Sequence, residues 1–368
     1  MKILVLNWRD TLHPKAGGAE YVTHEHAKAW VQAGHEVTWF TSMYHGAKPV
    51  EFFDGVKIIR SGGSYLVYLL APFFLLRNTN QYDVIIDEIH GIPFFAPLFS
   101  EKPVIVFIHE IADEIWDYMY RFPLNFVGKW LESLYLWLYR NKYFWTDAAS
   151  TVDELVKRGI DRNMCLSIPC PVKPVPINKT VKEKVPTYIF VSRVVRMKGI
   201  EEVIKSFAFI LKVQADACLW IVGGGEDNYV GKLKEMIAEY ELSDHVHFWG
   251  RVSEAEKYEL MARAHLLLHA SVKEGWGLVV LEAASVGTPA VVYNVGGLRD
   301  IVKHNKTGFI VKDISPQNMA REAVSLINDK KRYRLYQAKG QKWVKSLSWD
   351  NVTKQSLELL FRVVEKTA

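Results

Sequence analysis

Residues His265–Asn294 read HLLLHASVKEGWGLVVLEAASVGTPAVVYN. HLLLHAS is a short apolar run, VKEGWG a glycine-punctuated loop, LVVLEAASVG a helical pattern and PAVVYN a second apolar run. Neither apolar run alternates with polar residues, so each reads as a strand covered on both faces. A strand, a crossover helix and a second covered strand make a parallel α/β unit.

The same alternation runs outward in both directions. In the first half KILVLN, HEVTWFTS, VKIIR, DVIIDE, PVIVFIHE and DAASTV read as strands. The helix AEYVTHEHAKAWVQAG follows a Gly17–Gly18 turn and ends at Gly34. Near residue 170 the pattern breaks at SIPCPVKPVPINKTVKEKVP, whose five prolines exclude a helix interior or a central strand. Beyond it come TYIFVS, a helix GIEEVIKSFAFILKV, ACLWIVG, a helix NYVGKLKEMIAEYEL, HVHFWG and a helix EAEKYELMARA. From about Ser315 the tail reads as three helices. The expectation is two doubly wound α/β domains, residues 1–170 and 187–348, joined by a Pro-rich linker at 171–186. The cleft between such domains, at the carboxyl ends of the strands, is where ligands are sought.

The totals agree with two domains. A chain of 368 residues exceeds one ordinary core, and 49% hydrophobic with 24% charged residues marks a globular protein. Cys165, Cys170 and Cys218 show neither metal-ligand spacing nor a disulfide framework, which points to a reduced, cytoplasmic setting. MKILVLNWRD lacks a small-residue cleavage site and reads as a first strand, not a signal peptide. Lys and Arg number 16 against 19 acids in residues 1–170, and 30 against 22 in 171–368. The basic second half suits an anionic ligand but is too weak to argue for nucleic acid.

The chemistry concentrates around Glu274 and Glu282, which flank the start of one helix. The amides of Trp276, Gly277 and Leu278 at that start favour a phosphate. Carboxylates accept hydrogen bonds from neighbouring hydroxyls, so two acids beside a phosphate suit a sugar at one end and a ribose at the other. The plainer alternative is a surface turn with a capping acid. VSRVVRMKGIEEVIKSF adds Arg193, Arg196 and Lys198 between a strand and a helix, where cations grip phosphate. VGGGED and NVGGLRDIV add Gly223, Gly224, Gly225, Gly296 and Gly297, which permit close backbone approach.

The order of PKAGGAE, VFIHE, VSRVVRMKGI, VGGGED, EGWGLVVLE, GTPAVVYNVGGLRDIV and NKTGFIV resembles glycosyltransferase family 4 over nearly the whole chain. Trp276 stands where that family usually has Phe, and Asp300 where it often has Glu. The resemblance implies a GT-B fold, with two Rossmann-like domains facing a central cleft and a last helix, 349–368, returning to the first domain. It implies retaining transfer of a sugar from a nucleoside-diphosphate sugar to a glycan, lipid-linked or small-molecule hydroxyl. Glu274 would bind the donor sugar's hydroxyls, Glu282 the ribose, and Arg193 and Lys198 the departing diphosphate. Gly17, Gly18, Gly224, Gly275, Trp276, Gly277 and Leu278 would line the donor, and His109 would meet the transferred sugar. With no Asp-x-Asp clamp among the motifs, no metal is expected. An epimerase on the same plan and a non-catalytic sugar-nucleotide binding protein are the rival readings.

Three stretches of the first half are unusually apolar: Tyr65–Leu76, IPFFAPLF and Phe126–Trp145. The first is too short to span a bilayer and contains Pro72. The last reads as a helix apolar on most faces, hence as buried core, with peripheral contact to the inner face of a membrane as the alternative.

Overall fold

The computed structural model describes residues 1–173, 175 and 181–367, so the expected linker at 171–186 lies partly outside the described residues. The chain divides into two compact units, Met1–Cys170 with Ser348–Ala368, and Pro171–Leu347.

The first unit holds strands β1 (Lys2–Leu6), β2 (Glu36–Thr41), β3 (Val50–Phe53), β4 (Val56–Arg60), β5 (Val84–Ile89), β6 (Val104–Ile108), β7 (Tyr143–Thr146) and β8 (Cys165–Ser167). Its helices are α1 (Gly18–Gln32), α2 (Leu66–Asn78), α3 (Glu114–Met119), α4 (Leu124–Tyr139) and α5 (Ala149–Lys157). The sheet order is β3-β4-β2-β1-β5-β6-β7-β8, parallel except for the β3–β4 hairpin. The chain therefore winds one way from β1 and the other way from β5, which makes the β1/β5 gap the topological switch point.

Every residue of β5 and β6 is buried, as expected for strands covered on both faces. Within β5 the consecutive acids Asp87 and Glu88 point to opposite faces. Asp87 accepts the amides of Phe94 at 2.9 Å and Ala96 at 3.0 Å and the Tyr139 hydroxyl at 2.5 Å, which pins the loop after β5. Glu88 Oε2 instead accepts the Thr23 hydroxyl of α1 at 2.7 Å. The loop after β1 is anchored by buried Arg60, which donates Nε and Nη2 to the two oxygens of Asp10 at 2.7 and 3.0 Å.

Two expectations for this unit fail. DAASTV is not a strand: β7 precedes it, and α5 begins at Ala149. The apolar run Phe126–Trp145 is not one buried helix, because α4 stops at Tyr139 and β7 starts at Tyr143. Gly128, Glu132, Tyr135, Leu136 and Tyr139 form its buried side. Phe126, Trp130 and Trp137 are 64%, 57% and 58% exposed. Helix α2 behaves alike, with Val67, Ala71 and Leu75 inside and Leu69, Phe73 and Leu76 outside. The inner faces of both helices join one core with Leu4, Leu6, Ile85 and Val106, so both cover the same side of the sheet and turn apolar surface outward.

The second unit has β9 (Thr187–Val191), β10 (Cys218–Val222), β11 (Val246–Gly250), β12 (Leu266–His269), β13 (Ala290–Tyr293) and β14 (Gly308–Val311). Its helices are α6 (Ile200–Leu211), α7 (Asp227–Glu239), α8 (Glu254–Arg263), α9 (Leu278–Ser285), α10 (Gly296–Ile301), α11 (Pro316–Asn328) and α12 (Lys330–Ser346). The order is β11-β10-β9-β12-β13-β14, and every pairing is parallel. Its switch point lies between β9 and β12. The described end of the expected linker belongs to this unit: Lys182 Nζ donates to the Ala264 carbonyl at 2.6 Å and the Thr288 hydroxyl at 2.7 Å. The last helix, α13 (Trp349–Thr367), packs on the first unit as the sequence implied. Trp30 Nε1 donates to Ser356 Oγ at 2.9 Å and Lys366 Nζ to the Tyr143 hydroxyl at 2.7 Å.

The two faces of α4 separate in a stability measurement. Leu136→Ala empties a buried site and is expected to cost about 2–5 kcal/mol in chemical denaturation. Trp130→Ala, on the outer face, is expected to cost about 1 kcal/mol or less. Equal losses would place Trp130 in the core after all.

Candidate active site

At the switch point of the second unit, two loops meet. The loop after β9 carries Lys198 in a single turn, Arg196–Lys198, closed by Gly199 at φ +72°. A Cβ on Gly199 would lie 1.9 Å from the Ala270 carbonyl oxygen, so only glycine lets this loop rest against the end of β12. The loop after β12 carries Glu274. Lys198 Nζ lies 2.8 Å from Glu274 Oε2, and His269 Nε2 lies 3.2 Å from the same oxygen. Burial pushes the Glu274 carboxyl up, but the Lys198 charge and the His269 hydrogen bond outweigh it and hold it well below the usual carboxylate range. Glu274 is thus a fixed anion with both protein partners on one oxygen.

Gly277, at φ +89°, caps helix α9 in the left-handed region, and Trp276 beside it is buried. Val280 already donates its amide to the Gly277 carbonyl at 2.9 Å, and the amides of Leu278 and Val279 at the start of α9 have no intrahelical acceptor. Gly275 and Gly297 touch so closely that a Cβ on Gly297 would lie 2.3 Å from the Gly275 carbonyl oxygen. Glu282, on the second turn of α9, is paired by Lys257 Nζ of α8 at 3.0 Å. Burial pushes the Glu282 carboxyl up, and Lys257 offsets only part of that.

Arg193 and the three glycines of VGGGED lie apart from this pair. Arg193 is exposed and stays outside the Lys198–Glu274 pair. The glycines of VGGGED serve the chain itself: a Cβ on Gly223 would lie 1.8 Å from the Ser192 carbonyl oxygen, and one on Gly225 would lie 2.5 Å from that of Val194. Gly224 meets only the Arg251 side chain.

In the first unit the corresponding strand ends carry a different charge pattern. Gly17 precedes α1, and its amide is already engaged, donating to Glu20 Oε2 at 2.7 Å. Its φ of −134° suits any residue, and a Cβ there would meet only the Glu20 carboxylate at 3.6 Å. Gly18 is the first residue of α1. His109 directly follows β6. Its Nδ1 lies 2.5 Å from Asp147 Oδ2 and its Nε2 3.0 Å from Glu88 Oε1. Burial would lower the His109 pKa, yet the two carboxylates reverse that and raise it well above the ordinary imidazole value. His90 Nε2 approaches the same Glu88 oxygen at 2.8 Å.

Known proteins share this framework. Residues 16–174 match the family described as Glycosyltransferase Family 4, and residues 175–343 the family described as Glycosyl transferases group 1. The chain belongs to glycosyltransferase family 4. It is 31% identical over 183 residues to the GDP-mannose-dependent alpha-(1-6)-phosphatidylinositol monomannoside mannosyltransferase of Mycobacterium tuberculosis, covering 48% of this chain and 47% of that protein. The match thus spans about half the length of that curated relative. An uncharacterized glycosyltransferase of Haemophilus influenzae is 26% identical over 333 residues, 86% of this chain and 89% of that one. Anabaena HepE, solved with UDP-glucose, superposes with a TM-score of 0.79 at 18% identity, covering 98% of this chain and all of that one, a likeness of fold.

Reading the family-4 motifs alone leaves out Lys257, His269, Glu88, His90 and Asp147. His269 ends a strand that was recognised, and Asp147 ends one that was misplaced by a few residues. Strand-end position at the sheet's carboxyl edge was the available signal for Glu88, His90 and His269. Lys257 had none, since a helix lysine reads as solvated surface.

The glycine roles separate by substitution. Gly223→Ala meets rigid backbone at φ +134° and is expected to destabilise the second unit by more than about 1 kcal/mol, whereas Gly224→Ala displaces only a flexible arginine and is expected to be near neutral. Thermal unfolding of both variants measures this; the reverse ranking would refute the loop contact.

Proposed function

We propose that this family-4 chain is a retaining glycosyltransferase. It moves a sugar from a nucleoside-diphosphate sugar to a hydroxyl acceptor presented at a membrane surface, and the reaction itself needs no metal. The observation that carries the reading is the Lys198–Glu274 pair at the β9/β12 switch point, 2.8 Å apart and beside the start of α9. A cation and a carboxylate held together there suit the two ends of one ligand group, phosphate and sugar. On donor binding Lys198 turns to the diphosphate and Glu274 to the sugar hydroxyls, so one internal ion pair is exchanged for two ligand contacts. Arg193, exposed on the same loop, is free to add its guanidinium.

As the bond from the sugar's anomeric carbon to phosphate breaks, negative charge grows on the diphosphate. Lys198, Arg193 and the first amides of α9 stabilise it. The acceptor oxygen bonds to the same face of the anomeric carbon, and its proton passes to the departing phosphate oxygen. Glu282 receives the ribose hydroxyls, with Lys257 holding its carboxylate in position. His109 hydrogen-bonds the transferred sugar. The binding of UDP-glucose by HepE and the GDP-mannose dependence of the mycobacterial relative support a nucleotide-sugar donor.

The acceptor side rests on the outer faces of α2 and α4. On one side of the sheet α2 displays Leu and Phe and α4 displays Leu, Phe and Trp, and Arg140 lies over the Trp137 ring at 4.8 Å. Aromatic and aliphatic side chains with a cationic edge are the composition that settles at the headgroup level of a bilayer. Among the described residues no helix is long and apolar enough to cross a membrane, so these helices would lie on it. The mycobacterial relative's phosphatidylinositol-based acceptor supports a lipid surface as the occupant. The cytoplasmic side fits the three free cysteines.

Lys198→Ala and Arg193→Ala are each expected to lower turnover by about 100-fold or more, the scale of losing a charge stabiliser. Glu282→Gln should act mainly on the KM for donor. A melting-temperature screen against UDP-, GDP- and ADP-sugars first identifies the donor. Wild-type turnover in both cation variants would reject the assignment, as would nucleotide release that ignores the acceptor. Separately, the chain is expected to float with neutral phospholipid vesicles, and the double variant Trp130→Ala, Trp137→Ala to remain in the pellet fraction with its melting temperature nearly unchanged. Failure of the wild type to float would remove the membrane surface from the proposal.

A further inference from the structure

The carboxyl ends of β5 and β6 hold a second constellation, of which the proposed sugar transfer uses only His109. Glu88 and His90 are two residues apart at the end of β5, so they share one face of the strand. The parallel register sets Glu88 beside Phe107 and Ile89 beside Ile108. Continuing it by one residue brings His90 beside His109, and their rings lie 5.4 Å apart. Both Nε2 atoms converge on Glu88 Oε1, at 2.8 and 3.0 Å. The three donor atoms lie within 4.8 Å of one another.

We propose that Glu88, His90 and His109 form a site for a divalent transition-metal ion of the Zn2+ type, and that the ion inhibits transfer. The inhibition rests on the sugar role given to His109 above; the site does not. Two imidazole nitrogens and one carboxylate oxygen are a donor set that Zn2+ takes with one position left open. Zinc bonds of about 2.0–2.2 Å in a tetrahedron put ligand atoms about 3.3 Å apart, within half an ångström or so of the two separations seen here.

The surrounding residues are arranged as an outer shell. Asp147 holds His109 Nδ1 at 2.5 Å, which directs Nε2 into the site, and the Thr23 hydroxyl holds Glu88 Oε2 at 2.7 Å, which leaves Oε1 for the ion. Carboxylate–histidine pairs of this kind fix the tautomer of a metal ligand. Both histidine side chains are slightly exposed, at 16% and 12%, so an ion can enter from solvent.

His109 Nε2 cannot bind the ion and the sugar together, and a metal here would act as a brake on the enzyme. It would take no part in neutralising the diphosphate, which remains with Lys198 and Arg193.

The test uses the full chain without donor. Titration with Co2+ is expected to give the strong visible absorption of a four-coordinate ion, displaced by one equivalent of Zn2+. Calorimetric Zn2+ affinity is expected to fall at least about tenfold in His90→Gln, which keeps a donor toward Glu88. Asp147→Asn is expected to lose about 10–100-fold, the range for an outer-shell partner. Only the weak spectrum of octahedral Co2+ would overturn the site and leave an ion-pair network. Unchanged Zn2+ affinity in folded His90→Gln would overturn it too, folding being checked by the metal-free melting temperature. Turnover is then measured with added Zn2+, each protein against its own metal-free rate. Inhibition of the wild type but not of His90→Gln is expected, and uninhibited wild type that still binds the ion would overturn the brake. Because binding is read without donor, failure of the site and failure of the transferase assignment remain distinct.

Discussion

Lys198 and Glu274 lie on loops from two strands that are neighbours in space but far apart in sequence, and their 2.8 Å contact depends on the winding of the sheet. The chain lays β10 and β11 to one side of β9, then returns to lay β12, β13 and β14 on the other. No crossover helix covers the gap at the carboxyl ends of β9 and β12, so backbone amides and side chains there can reach a ligand. The gap is kept narrow by Gly199, whose backbone touches that of Ala270 at the end of β12, while on the other side of β9 Gly223 lets the loop after β10 rest on Ser192. Any side chain at Gly199 would push the β9 and β12 loops apart, and with them the cation and the acid. The pair is therefore set by backbone packing before any ligand arrives.

The first unit applies the same topology with different chemistry. Its switch point separates β1 from β5, and the residues that emerge nearby are glycines, a glutamate and two histidines. The β5 strand divides its acids by face. Asp87 is used up within the core, satisfying two loop amides and a tyrosine. Glu88 is turned toward α1 and the histidines. One strand thus both fastens its own following loop and supplies an anion to the site. The cations of the second unit suit phosphate, while the imidazoles and carboxylate of the first suit hydroxyl groups or a soft divalent ion.

Much of this was legible in the sequence because parallel strands buried on both faces lack polar alternation. TYIFV, CLWIV and HLLLH could be nothing else, and the loops between strands and helices then had to carry Arg193, Lys198 and Glu274. What could not be read was pairing across the sheet. Glu282 was assigned to a ribose without its partner, because Lys257 sits on another helix and only tertiary structure brings them to 3.0 Å. Asp147 is hidden by a shifted boundary: DAASTV is apolar enough for a strand, and the apolar run Phe126–Trp145 takes in Tyr143–Trp145 of β7. The glycines of VGGGED were read as room for a ligand, whereas Gly223 and Gly225 make room for the neighbouring loop. A sequence shows that a side chain is missing but not which neighbour requires its absence.

The outer helices show the same limit from the opposite side. A helix that is apolar all round is ordinarily buried, and α4 was read so. Burial, however, needs something to cover both faces. In this unit the sheet covers only the side bearing Leu136 and Tyr139, leaving Trp130, Leu134 and Trp137 outward. Packing against the sheet explains the inner residues of α2 and α4 and none of the outer ones. An outer face chosen only for solubility would carry lysine and glutamate, which favour helix as well as leucine does and cost nothing to hydrate. Its apolar composition is what the proposed membrane contact would account for. Since α2 and α4 share one side of the sheet, a single flat surface can meet both at once, as that proposal requires.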